Sequence, residues 1–177
     1  MIVGVVALAR AGKDVFSDYL VKNYGYKKVN TSDVLRDSLM KSGQTPTKDG
    51  MSRLADEWRK QFGMDIVTRR SLEGLRDYKQ DIVLLGFRSP EEVDLARSIY
   101  GEKEFVLVGI TADKDTRYNR RSPDDPQDKE GFFARDERDI KNKGLEKAIE
   151  MAQHVLINND TLENFYYKIN NLMKVIS

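Results

Sequence analysis

Cysteine is absent from this chain, which excludes disulfides, thiolate nucleophiles and thiolate metal ligands. Histidine occurs once, at His154, so neither a multi-histidine metal centre nor a Ser-His-Asp triad can be assembled. An excess of one charge is lacking too. Thirty basic residues face 29 acidic ones, a net of +1, and nothing draws the whole molecule to nucleic acid or an anionic membrane. No apolar run reaches the length of a membrane span. The opening "MIVGVVALARAGKD" carries its charges after the apolar run, unlike a signal peptide, so an intracellular, cytoplasmic protein is expected. What is present is an ordinary globular composition, 40% hydrophobic and 33% charged over 177 residues, for which one domain spanning 1–177 is expected.

The apolar pattern alternates between short β-branched runs and helical spacing. "IVGVVAL" (2–8) reads as a strand buried on both faces, followed by a helix from about Lys13 to Asn23. "YKKVN" (26–30) is a second strand, and Thr31, Ser32 or Asp33 would cap the helix "DVLRDSLMKSG", ended by Gly43 and Pro46. Met51, Leu54, Ala55, Trp58 and Phe62 recur at helical spacing, and another helix is expected over 64–77. "DIVLLGF" (81–87) and "EFVLVGI" (104–110) are strands separated by a helix from Pro90 to about Tyr100. A polar loop, "SPDDPQDKEG" (122–131), precedes a charged helix to about Gln153 and a fifth strand, "HVLIN" (154–158). The last helix carries Leu162, Phe165, Ile169, Leu172, Met173 and Ile176 on one face. Strands alternating with helices predict a three-layer α/β fold with a five-stranded parallel sheet covered on both faces.

The stretch "ALARAGKD" (7–14) lies between the first strand and the first helix, the context of a phosphate-binding loop. Ala7 holds the first glycine's place, Gly12 and Lys13 match, and Asp14 stands where a hydroxyl is usual. In this context backbone N–H groups over Ala9, Arg10, Ala11, Gly12, Lys13, Asp14 and Val15 face an anion, the helix dipole favours it, and Lys13 adds a mobile cation. The Asp14 carboxylate can serve Mg²⁺ directly or through water. The competing reading is a fortuitous Gly-Lys at a helix start.

"VNTSDVLRDSLMKSG" resembles the segment of adenylate-kinase-like enzymes in which a strand ends in a small polar run, an aspartate, two apolar residues and an arginine. The resemblance implies that Arg36 grips the acceptor's phosphate, with Thr31 and Ser32 as hydrogen-bond donors; plain helix capping beside a solvated arginine competes. "IVLLGFRSPEEV" resembles the same enzymes' strand ending in Asp-Gly before an arginine. Gly86 and Arg88 match, making Arg88 a second clamp, whereas Leu85 replaces the aspartate that helps hold magnesium waters. Arg117, Arg120 and Arg121 fall at i, i+3, i+4, with Arg135 and Arg138 beyond the polar loop. A small lid over about 117–138, whose arginines stabilise the transferred group, is one reading. A solvated, salt-bridged helix pair with Asp113, Asp136 and Asp139 is the other.

Nearly the whole chain is similar to an archaeal family of small P-loop kinases related to adenylate kinase and dephospho-CoA kinase. Its Gly-Lys-Asp loop looks like those of phage deoxynucleotide kinases and animal-type phosphomevalonate kinases. The resemblance implies a P-loop NTPase fold and an ATP- and Mg²⁺-dependent transfer of the γ-phosphoryl to a small phosphorylated acceptor. Nucleoside monophosphate or dephospho-CoA is the first expectation, and a phosphorylated mevalonate the alternative. Lys13, Arg117 and Arg121 would be catalytic, with Asp33 the base for an alcohol acceptor. A nucleotide sensor without catalysis is the rival reading. Trp58 and His154 read as structural, and Asn158 and Asn159 lie where such kinases contact the donor's base. No nucleic-acid or membrane partner is expected, and the oligomeric state is left open.

Overall fold

The computed structural model describes residues 1–75 and 79–176. Strand β1 (Ile2–Ala7) is the centre of a five-stranded parallel sheet with order β2-β3-β1-β4-β5, where β2 is Lys27–Asn30, β3 Ile82–Phe87, β4 Phe105–Thr111 and β5 His154–Ile157. Val3, Val5 and Val6 of β1 are fully buried, as a strand covered on both faces requires. Gly4 is squeezed between neighbouring rings: a Cβ there would lie 2.7 Å from Phe105 and 2.9 Å from Phe87.

One face of the sheet is covered by α1 (Lys13–Tyr24) and α9 (Leu162–Ile176), through Phe16, Leu20, Phe165, Ile169, Leu172 and Met173. The other is covered by α5 (Pro90–Glu104), α8 (Leu145–Glu150) and the end of α4 (Ile66–Glu73), through Leu72, Val93, Ala96, Leu145 and Ala148. Helices α2 (Asp33–Lys41) and α3 (Lys48–Phe62) pack with α4 around a small core of their own, made of Leu35, Ala55, Ile66 and Val67. Helices α6 (Lys114–Asn119) and α7 (Lys129–Lys143) flank the polar loop.

The sheet's helices and strands follow the sequence expectation closely, with five corrections. Helix α5, expected to end at about Tyr100, runs to Glu104 past a kink at Gly101, where φ is 71°. The charged helix expected to reach Gln153 is broken at Gly144, whose φ of 74° ends α7 and turns α8 onto the sheet. The helix expected over 64–77 is observed as Ile66–Glu73, and positions 76–77 lie outside the described residues. Leu162, expected on the apolar face of α9, is exposed because it lies in the first turn, beyond the sheet's cover. Phe62 is likewise exposed at the end of α3.

Two features of the sheet shape the surroundings of the β1 end. The chain passes from β3 on one side of β1, through α5, to β4 on the other, so the C-terminal end of β1 is the switch point where open α/β sheets bind ligands. Beside it, β3 bulges: Val5 pairs with Leu85 but Val6 with Phe87, leaving Gly86 unpaired at φ 112°. Thr31 Oγ1 lies where a Gly86 Cβ would be, so only glycine fits. The bulge re-aims the strand end carrying Arg88.

Candidate functional site

The β1–α1 loop turns through two left-handed residues, Arg10 at φ 62° and Gly12 at φ 117°. Gly12 provides no side-chain cap, and the first intrahelical bond runs from Phe16 N–H to the Gly12 carbonyl at 3.0 Å. The N–H groups of the first turn of α1 are thus left to a ligand, at the positive end of the helix. Asn158, just past β5, fixes the loop from below by donating from Nδ2 to the Ala11 carbonyl at 2.8 Å.

This loop opens on a cavity of about 500 Å³ at the C-terminal edge of the sheet. It is lined by Ala7, Leu8, Ala9, Arg10, Gly12, Lys13, Asp14 and Val15 of the loop and helix start, and by Lys48, Arg88, Arg120, Asp125, Arg135, Asp136 and Asp139 from other elements. A smaller cavity of about 280 Å³ adjoins it between Gly12, Val15, Arg120, Asn158 and Leu162.

Apart from Arg120, the cations in the cavity wall lie beside carboxylates. Lys13 Nζ lies 2.6 Å from Asp14, and Lys28 lies 3.5 Å from it on the other side. Burial pushes the Asp14 carboxyl up, but the hydrogen bond and charge of Lys13, joined by Lys28, outweigh it and hold the group below its ordinary range. Arg88 pairs with Asp139 at 2.6 Å, and Lys143 holds the other oxygen of Asp139 at 2.8 Å. For Asp139 too, burial is outweighed, here by Arg88 and Lys143, and its pKa is lowered. Arg10 pairs with Asp125, whose carboxylate also accepts from the Ser122 N–H at 2.9 Å. Arg135 lies 3.5 Å from the same group.

Behind Arg88 the charges close into a ring. The Arg88 N–H donates to Glu92 at 2.6 Å, and Arg59 donates to the other oxygen of Glu92 at 3.2 Å. Asp56 then lies 3.6 Å from Arg59 and 3.9 Å from Lys143, which returns to Asp139. The ring ties α3, the start of α5 and α7 together around one cavity residue. Glu92 is fully buried, and burial raises its pKa despite Arg59 and the backbone donors of Arg88 and Ser89.

The expected site residues divide between the cavity wall and its surroundings. Ala9, Arg10, Gly12, Lys13, Asp14, Val15 and Arg88 line it. Ala11 is turned into the core, its N–H donating to the Leu8 carbonyl at 3.3 Å and its carbonyl accepting from Asn158 at 2.8 Å. Thr31 is buried against Gly86, Ser32 begins α2, and Arg36 pairs with Asp33 at 3.3 Å, all outside the cavity lining. Asp33 itself accepts from the Asn30 N–H at 3.2 Å, tying the end of β2 to the start of α2.

The arginine triplet does not share a face, because α6 ends at Asn119. Arg117 is buried and donates to Asp136 at 2.6 Å and to the Ala9 carbonyl at 3.0 Å, bracing the loop from outside the cavity. Arg121 stacks on Tyr118, 4.1 Å from its centroid, and bonds Gln127. Only Arg120 reaches the wall, donating to the Asn158 carbonyl at 2.9 Å. Lys48 had no sequence motif beyond the Thr47 cap of α3, and the wall roles of Asp125 and Asp136 had none at all. Trp58 packs on the α2–α4 core under the Arg70 guanidinium, 3.8 Å from its centroid.

Relatives place the chain. A UPF0200 protein of Methanosarcina barkeri is 32% identical over 93% of this chain and 89% of its own length. The chain belongs to the UPF0200 family. UPF0200 proteins of Methanoregula boonei and Thermococcus kodakarensis match at 29% and 27% identity over 97% and 99% of the chain, covering 95% and 98% of their own lengths. No protein-family model matches it. Among solved structures, shikimate kinase from Bacteroides thetaiotaomicron superposes with TM-score 0.66 at 10% identity over 98% of both chains. Shikimate kinase from Aquifex aeolicus gives 0.62 at 12% over 98% of this chain and 96% of its own. At such identities the likeness is one of fold: this UPF0200 chain has the P-loop NTPase fold of shikimate-kinase-like proteins. No helix among the described residues is long and apolar enough to cross a membrane.

Proposed function

We propose that the chain is a small-molecule kinase that moves the γ-phosphoryl of Mg·ATP to a small anionic acceptor. The observation that carries this is the Gly12–Lys13 start of α1, uncapped and lining one cavity together with Arg88, Arg120 and Arg135. Backbone N–H groups of the loop and Lys13 hold the donor's phosphates, and the donor's base lies in the smaller cavity beside Arg120 and Asn158. Arg88 and Lys48 take the acceptor's anion. Arg120 and Arg135, the latter on α7, meet the charge that spreads over the phosphoryl group in flight. The loop between α6 and α7 acts as the lid that keeps water out.

Asp14 suits a magnesium ion carried in by phosphates: it is held ionised and is exposed at the mouth of the cavity. Such an ion needs only one or two carboxylates besides phosphate and water, and bound there it would neutralise developing charge on the phosphates. Where the acceptor is an alcohol, its oxygen bonds the γ-phosphorus as the bond to the β-phosphate bridge breaks. ADP leaves with that electron pair, and the hydroxyl proton passes to Asp136. Asp136 replaces Asp33 as the base in this reading because it lines the cavity, with Oδ2 held by Arg117.

Leu85 favours a second reading, nucleotide binding without turnover, since a buried leucine stands where a carboxylate would support the metal's waters. Binding of a fluorescent ATP analogue, followed by coupled ADP release across an acceptor panel, separates the two. The Lys13→Ala variant should lose about a hundredfold in turnover. Full activity in that variant would sink the loop assignment.

A further inference from the structure

We propose, resting on the kinase reading, that the acceptor is a small aliphatic anion bearing hydroxyl groups, and not a nucleotide. Outside the β1–α1 loop, the larger cavity is lined by Lys48, Arg88, Arg120, Asp125, Arg135, Asp136 and Asp139, every one charged. Arg88 is paired with Asp139 and Asp136 with Arg117, both at 2.6 Å. A nucleobase brings two apolar faces. Laid against these pairs, it would strip water from them and return few hydrogen bonds. A hydroxyl both donates and accepts, so a polyol chain replaces that water group for group.

Leu35, Ala55, Ile66 and Val67 fill the space between α2, α3 and α4, with Met51, Leu54 and Trp58 packed over them. The guanidinium of Arg70, 3.8 Å from the Trp58 centroid, covers that ring. Among the described residues no aromatic side chain lines the larger cavity, where the acceptor would sit. The larger cavity, about 500 Å³, must take the donor's phosphates as well, which limits the acceptor to a short carbon skeleton.

Arg88 and Lys48 recognise the anion, and a carboxylate or a phosphate meets a guanidinium with the same paired oxygens. Asp136 receives the proton of the attacking hydroxyl. The product is a phosphate ester, with ADP as the leaving species.

The test uses the full-length protein with Mg·ATP and follows ADP release. One arm holds hydroxycarboxylates (glycerate, gluconate, shikimate), a second polyol and sugar phosphates (glycerol phosphate, ribose phosphate). A third holds AMP, CMP and dephospho-CoA. A compound from the first or second arm should raise turnover at least about tenfold over ATP alone, and which arm responds names the anion. Arg88→Met and, as a milder surface change, Lys48→Met should each raise the KM for that compound about tenfold. Turnover with the third arm alone overturns the proposal. So does a protein that binds the fluorescent ATP analogue yet responds to neither of the first two arms. Failure to bind the analogue at all overturns the kinase reading itself, and this proposal with it.

Discussion

Arg10, in the β1–α1 loop, is ion-paired at 2.5 Å with Asp125, in the loop between α6 and α7, although 115 residues separate them. Arg10 is the one non-glycine residue with positive φ among those described, at a backbone cost of about 1 kcal/mol. Its guanidinium also donates to Ser122, so the pair latches the polar loop onto the β1–α1 loop. Arg10→Met or Asp125→Asn should release residues 122–127, speeding their amide hydrogen exchange about tenfold. Unchanged protection would assign the hold to Gln127, which donates to the Ser122 and Asp125 carbonyls.

Acid should weaken the molecule through Asp125 and Asp139. Both are lowered from an ordinary value of 3.8: burial opposes the shift, but Ser122 N–H, Arg10 and Arg135 outweigh it for Asp125, and Arg88 and Lys143 for Asp139. A carboxyl with a lowered folded pKa binds protons more readily when unfolded. Its stabilisation is therefore complete above 3.8 and is lost as pH falls through the lower folded value. Urea midpoints measured from neutrality downward should drop in that window. The gap between wild type and Asp139→Asn should close there, and a constant gap would assign the acid loss to other groups.

Glu92 carries the opposite sign. Its folded pKa lies above the ordinary 4.5, with burial as the cause, so protonation relieves it as pH falls through that raised value. Arg59→Met removes its charged partner and should cost about 3–5 kcal/mol near neutral pH. The loss should be smaller at about pH 5 than at about pH 8, because the unpaired carboxyl then folds protonated. Chemical denaturation at the two pH values checks this. An equal loss at both would mean that Arg59 contributes packing alone.

Gly12 tolerates no side chain. Its φ of 117° disfavours one, and a Cβ would run into Asn158 Nδ2. Gly12→Ala should cost about 1–3 kcal/mol in denaturant and displace Asn158 from the Ala11 carbonyl. Asn158→Ala alone should cost about 1–3 kcal/mol by leaving that buried carbonyl unpaired. If Gly12→Ala matched wild type in stability, the loop would have another conformation.

Strands β1, β3 and β4 were legible because they are short runs rich in valine, leucine and isoleucine, a pattern that burial on both faces imposes. Gly12 and Lys13 were legible because a phosphate-type loop is local: strand, turn and helix start are contiguous. Arg88 was legible from the strand end before it. The spacing of the arginines at 117, 120 and 121 predicts one helical face, and the early end of α6 sends them in three directions. Spacing predicts a shared face only while the helix continues.

By itself, then, the sequence determined the elements, the parallel α/β class and the position of the β1–α1 loop, because propensity, periodicity and capping act over a few residues. Only tertiary structure decided which charges meet. The ring from Arg59 through Glu92, Arg88, Asp139 and Lys143 to Asp56 joins three helical elements, and the Arg10–Asp125 latch joins two loops. Coulomb attraction and desolvation depend on distance and burial, and neither is written in the spacing along the chain.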